Sequence, residues 1–100
     1  MKQLETNKVY SLKVTSGEEI VGKVIEQTDT TVTLEQGITI GMGQQGMQMI
    51  PAMFTTLPTA NLTINTANIT MVADTAEDVV DAYREATTGI KTPDKKIIMG

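Results

Sequence analysis

Side chains able to do chemistry are few in this sequence. It contains no histidine and no cysteine. That removes the usual zinc ligands, the usual general base and the Ser/His or Cys/His nucleophile pairs. Without cysteine there is also no disulfide framework. What remains is carboxylates and amines. Glu18 and Glu19 follow a Ser16-Gly17 turn signal, and Glu77 and Asp78 stand where a helical pattern begins. Neighbouring acids in such places are usually solvated or capping groups. A Ser or Thr nucleophile would have only lysine as its base. No enzyme is expected, and nothing asks for a cofactor. The thioethers of seven methionines are soft ligands that would suit Cu(I). Four of them, however, crowd irregularly into Gly41–Phe54, "GMGQQGMQMIPAMF", together with three of the eight glycines. Without Cys or His, such a cluster fits an apolar contact better than a metal site.

Composition narrows the partners. One hundred residues with 40% apolar content make one globular domain. Only Tyr10, Phe54 and Tyr83 are aromatic, so the core must be built from Val, Ile, Leu and Met. The net charge of −4 gives no whole-surface field for a phosphate backbone, and any nucleic-acid site would have to be local. No apolar run approaches the roughly 18 residues of a membrane span. Met1–Lys8 has no apolar core of the secretory-signal kind. The expectation is a soluble cytoplasmic protein.

The periodicity says what positions these residues. Val9–Thr15 alternates, with Tyr10, Leu12 and Val14 on one side, as a half-buried strand does. Ile20–Glu26 is apolar on both parities and should be covered on both faces; Gly22 within it marks a bend, a bulge or a close approach. Asp29 can bond its own backbone in the turn that follows. A long third strand runs from Thr31 to about Met42, with Val32, Leu34, Ile38, Ile40 and Met42 on even positions. Gly37 would let it curl. The glutamines after Gly43 suggest a turn, Met47–Phe54 a fourth strand, and Leu62–Ile64 and Ile69–Ala73 two short pieces. The period then changes to that of a helix over Thr75–Thr88, with Asp74 or Thr75 as cap, Ala76, Val79, Val80, Tyr83 and Ala86 as the apolar face, and Gly89 as C-cap before Pro93. Residues 1–90 thus form one domain and 91–100 a tail bearing Lys91, Lys95 and Lys96, expected to be flexible. The expected fold is all-β with one added helix: five short bent antiparallel strands in a small SH3-like barrel, then a C-terminal α-helix.

Two stretches resemble a known family. Val9–Leu34, with its "SGEEIVGKV" turn and strand, Gly22, and Asp29 ahead of "TTVTL", resembles the first motif of the Sm-like (LSm) proteins. Ile64–Val72, "INTANITMV", resembles the second, with Ile64, Ile69 and Val72 at its apolar positions. Together they cover about a third of the chain. The closest resemblance is to divergent members of the phage or marine-metagenome type, in which a C-terminal helix stands in for the usual N-terminal one.

The resemblance implies a homo-oligomeric ring, hexameric or heptameric, closed by pairing of the fourth strand of one subunit with the last strand of the next. On that reading Met47, Met49, Ile50, Met53 and Phe54 meet Ile69 and Met71 of the neighbour. It also implies single-stranded RNA as a candidate ligand, held at Asp29, Thr30, Thr31, Asn65 and Thr66. The departures bear on this. Thr30 and Thr31 stand where the family places its base-reading residues, the turn is about two residues shorter, Asn65 replaces an Arg and Thr66 a Gly. Beyond Tyr10, on the side of the first strand read as buried, neither motif has an aromatic or His on which a base could stack. Asn65 could still bond a base edge and Thr66 a phosphate; the plainer alternative is that Asn65 and Asn68 hold a turn. Two functions follow: a ring-forming RNA-binding module with a degenerate site, or a structural or assembly ring, phage-related in character, that binds no RNA.

Overall fold

The computed structural model describes residues 1–44, 46–57 and 59–88. Strand β1 (Val9–Val14) forms a hairpin with β2 (Glu19–Gln27), which pairs with the long β3 (Thr31–Gly43). Two strands share the far side of β3. β5 (Asn61–Asn65) lies along its first half and β4 (Gly46–Pro51) along its second. A 3-10 turn at Thr66–Asn68 leads into β6 (Ile69–Asp74), which returns to β1. Helix α1 (Glu77–Thr88) follows.

This is the expected antiparallel sheet with a C-terminal helix, with two corrections. Among the described residues there are six strands instead of five: Leu62–Ile64 lies inside a full strand, β5, while the apolar run from Met47 stays extended only to Pro51. Met53 and Phe54 therefore lie outside any strand. The sheet is also not closed. Its order is β4-β3-β2-β1-β6 with β5 beside β3, and β5 and β6 do not pair with each other. Gly89, Pro93 and the expected tail, 91–100, lie outside the described residues.

The third strand corrects a simpler reading of its own pattern. Lys23 faces Glu35 and Val21 faces Ile38, so Gly22 alone stands opposite Gln36 and Gly37. That is a β-bulge, and Gln36 takes the left-handed φ of 53° within it. An extra residue turns every later side chain to the other face. Val32 and Leu34 accordingly join one core, with Leu4, Tyr10, Leu12 and Val24. Ile38 and Ile40, on the same even parity, pack on the opposite side of the sheet with Val9, Val21, Val79 and Tyr83. One even-position series, broken in sequence only at Gln36, thus serves two cores. Gly22 is fixed by the same crowding: a Cβ there would come within 2.9 Å of the Leu34 Cβ.

The helix covers the second core. Val79, Val80 and Tyr83 point inward, as the 3.6-residue period predicts, while Ala76 and Ala86, expected on the same face, are exposed. Its start differs from the expected cap. The Ala76 carbonyl accepts from the Val80 N–H at 2.9 Å and opens the helix. Asp74 instead pairs with Lys8 at 3.2 Å, and the Thr75 and Ser11 hydroxyls bond each other at 2.8 Å. Leu4, in a segment with no periodicity, closes one end of the first core at 2% exposure. Its N–H donates to Gln27 Oε1 at 2.8 Å.

Candidate functional site

The five residues singled out for ligand contact come from two distant stretches and lie together. The β2–β3 turn is tied by Thr28: its hydroxyl accepts the Thr30 and Thr31 N–H groups at 3.2 and 3.0 Å and bonds the Thr31 hydroxyl at 2.7 Å. Thr28 takes the turn-forming part expected of Asp29. Across the ladder Thr31 faces Asn65, and the Thr66 N–H donates to the Thr30 carbonyl at 2.9 Å. The Thr66 hydroxyl reaches the Asp29 carbonyl at 3.5 Å. Backbone bonds therefore hold the β2–β3 turn against the start of the 3-10 turn.

What this surface offers is neutral hydrogen bonding. Asp29, Thr30 and Asn65 are exposed; Thr31 and Thr66 are half-buried. Asn65 makes no side-chain capping bond, so its amide is free of the turn-holding task. Asn68 contributes to the fold through its carbonyl, which accepts the Thr15 N–H at 2.8 Å. The cluster includes one carboxylate, no cation and no ring. Tyr10 and Tyr83 are buried in the two cores, and Phe54 lies in the segment after β4. The site can read edges and accept or donate protons in hydrogen bonds; it has nothing to stack on a base or neutralise a phosphate.

The residues expected at a subunit contact divide differently. Ile50, Met53, Phe54 and Met71 are exposed, Phe54 at 81% and Met71 at 65%. Met49 packs inward against the helix-side core, and Ile69 against the other core. Met47 faces Met42 in the β3–β4 ladder, and its side chain lies outside the described parts of the chain. Leu57, 74% exposed, extends the apolar surface after β4 and was not foreseen. A lone leucine beside a proline in a polar loop was its only signal.

One sequence feature gains meaning only on this fold. From Gln36 to Ala73 there is no charged residue, over a third of the chain. Both outer edges of the sheet, β4 and β5 on one side and β6 as far as Ala73 on the other, fall inside that stretch. Among the described residues, no group of three acidic, His or Cys side chains could hold a metal ion, and no helix is long and apolar enough to cross a membrane. No protein-family model and no curated protein matches this sequence.

Proposed function

We propose that the chain is the subunit of an Sm-like homo-oligomeric ring with a structural or assembly role. One observation carries this reading: among the described residues, two sheet edges at opposite ends of the strand order have no partner strand, bear the exposed apolar side chains of Ile50 and Met71, and carry no charge short of Asp74 at the end of β6. Isolated proteins normally blunt such edges with lysines or other charges. Here the charges are elsewhere. An edge at each end makes a head-to-tail contact, and a head-to-tail contact whose rotation closes gives a ring. The connectivity supports the same reading: β6-β1-β2-β3-β5, with a 3-10 turn between β5 and β6, is an SH3-like path left open between its last two strands.

Of the two strands on the far side, β5 is the better template for a neighbour's β6. Ala52 donates to the Gly37 carbonyl at 3.1 Å, which makes Ile38 and Pro51 a non-hydrogen-bonded pair and aims the Pro51 nitrogen outward. A missing donor on the outer side of β4 spoils it for pairing. The expected pairing of Met47–Phe54 with Ile69–Ala73 therefore moves to Asn61–Asn65, with Ile50, Phe54 and Leu57 alongside.

The convergence of Asp29–Thr31 with Asn65–Thr66 favours a second reading, single-stranded RNA held by base-edge hydrogen bonds alone. The neutral-to-acidic surface argues for weak or absent binding. Light scattering tests the ring; labelled oligo-U and oligo-A at low salt test the second reading. Saturable binding that Asn65→Ala removes would support RNA as ligand, and its absence would leave assembly alone.

A further inference from the structure

Leu57 is 74% exposed, yet the backbone holds it in place. The Ala60 N–H donates to the Leu57 carbonyl at 2.9 Å, a turn that keeps Leu57 beside the residue preceding β5. Thr59, in the same segment, lines a groove together with Ala86 and Thr87, so the segment reaches the helix side of the sheet.

On that same side, at the start of α1, lies a groove of about 460 Å³. Val21, Ile40 and Val79 form its floor, and Ala73 and Ala76 one wall. Its hydroxyls, Ser11 and Thr75, bond each other at 2.8 Å. Asp74 is paired with Lys8 at 3.2 Å, and Glu19 is exposed to water. An apolar side chain can therefore enter without stripping a polar group of its partner. Ala73 stands opposite Ser11 in the ladder, so the groove opens over the face of the sheet and not at its edge.

We infer that Leu57 of one subunit seats in this groove of the next and fixes their strand pair as antiparallel. This contact rests on the ring reading and names the side chain that locks it. Every strand pairing among the described residues is antiparallel. An antiparallel pair of one subunit's β5 with the next subunit's β6 sets the residues before Asn61 against those after Ala73. Leu57 and the groove meet there. A parallel pair would carry Leu57 to the Ile69 end of β6 instead. The neighbour's strand adds in the plane of the sheet, and its leucine closes over the face.

The test uses the full chain in two preparations, one methyl-labelled at leucine and the other at isoleucine and valine, mixed in urea and refolded together. Nuclear Overhauser effects from the Leu57 methyls to those of Val79 and Ile40 can then arise only between subunits, and they are expected. Leu57→Ser changes an exposed position and should leave the circular dichroism spectrum intact. It should raise the concentration at which the assembly dissociates in light scattering about tenfold or more, the loss of one buried leucine per contact. Ala76→Glu, which puts a charge into the groove from an exposed position, should do the same. The two changes together should add little to either alone, as two halves of one contact do. An assembly in which Leu57→Ser dissociates at the wild-type concentration, or in which the Leu57 methyls contact Ile69 instead of Val79, overturns the contact and leaves the ring standing. A wild type that is monomeric at every concentration overturns both.

Discussion

The Tyr83 hydroxyl accepts the Lys23 N–H at 3.1 Å and donates its own proton to the Glu35 carbonyl. Lys23 and Glu35 face each other across β2 and β3, one step before the bulge. A side chain from the last element of the fold is thereby spliced into the sheet where the sheet changes face. Tyr83→Phe keeps the ring in its apolar place and removes the bridge. It should cost about 1–3 kcal/mol, since buried backbone groups lose a partner. Urea unfolding would register this as a lower midpoint with an unchanged slope.

The same hydroxyl predicts a response to alkali. Burial pushes the Tyr83 pKa above its ordinary 10.0, with Glu35 adding in the same direction. The neutral form is thus favoured in the folded state. This contribution is fully present below pH 10, the unfolded value, and is lost as pH rises toward the folded one, because the unfolded chain releases its proton first. Lys8, whose pKa is raised by its bond to Asp74, loses its contribution in a similar alkaline range. Melting curves from pH 8 to about pH 11 should therefore fall for both proteins, more steeply for the wild type than for Tyr83→Phe. Parallel curves would remove Tyr83 from the account.

Two glycines should differ in their tolerance of a methyl group. At Gly22 an added Cβ meets the Leu34 Cβ at 2.9 Å, an atom fixed to the backbone of β3. At Gly37 it meets Leu62 Cδ1 at 2.9 Å, the end of a side chain that can rotate. Gly22→Ala should destabilise by about 1–3 kcal/mol, and Gly37→Ala by less. Thermal melts of the two variants decide it; equal losses would mean that the sheet yields as easily as a leucine.

Edge and core substitutions should separate assembly from folding. Met71→Lys places a charge on an exposed position of an outer strand, where lysine discourages pairing. It should lower the mass in solution and leave the circular dichroism spectrum intact. Ile50→Lys, on the other outer edge, should weaken assembly in the same way. Met49→Asp differs, because Met49 belongs to the core beneath α1 and an unpaired carboxylate there is costly. It should lower the melting temperature whether or not the protein assembles.

The sequence was informative wherever period and parity had one meaning. The first two strands, the double-faced burial of β2 and the inward face of α1 were legible because local alternation sets them. The bulge was not. Gln36 and Gly37 look like a pause in a regular strand, yet they reverse which face Ile38 and Ile40 occupy. Leu4 was hidden for a related reason, since a single apolar residue in a polar segment has no period and is buried only by tertiary packing. The ligand candidates were placed by resemblance, and their nearness depends on long-range pairing of Thr31 with Asn65 that no local pattern encodes. The uncharged stretch was plain in the sequence, but only the strand order gave it a location on both edges.

The central claim, that two uncharged edges of one sheet meet between copies, is tested most directly by the mass of the purified protein in solution, measured by light scattering across a dilution series. The account predicts a single species at six or seven times the 10.8 kDa subunit mass or a neighbouring whole multiple. A monodisperse 10.8 kDa monomer at every concentration would contradict it.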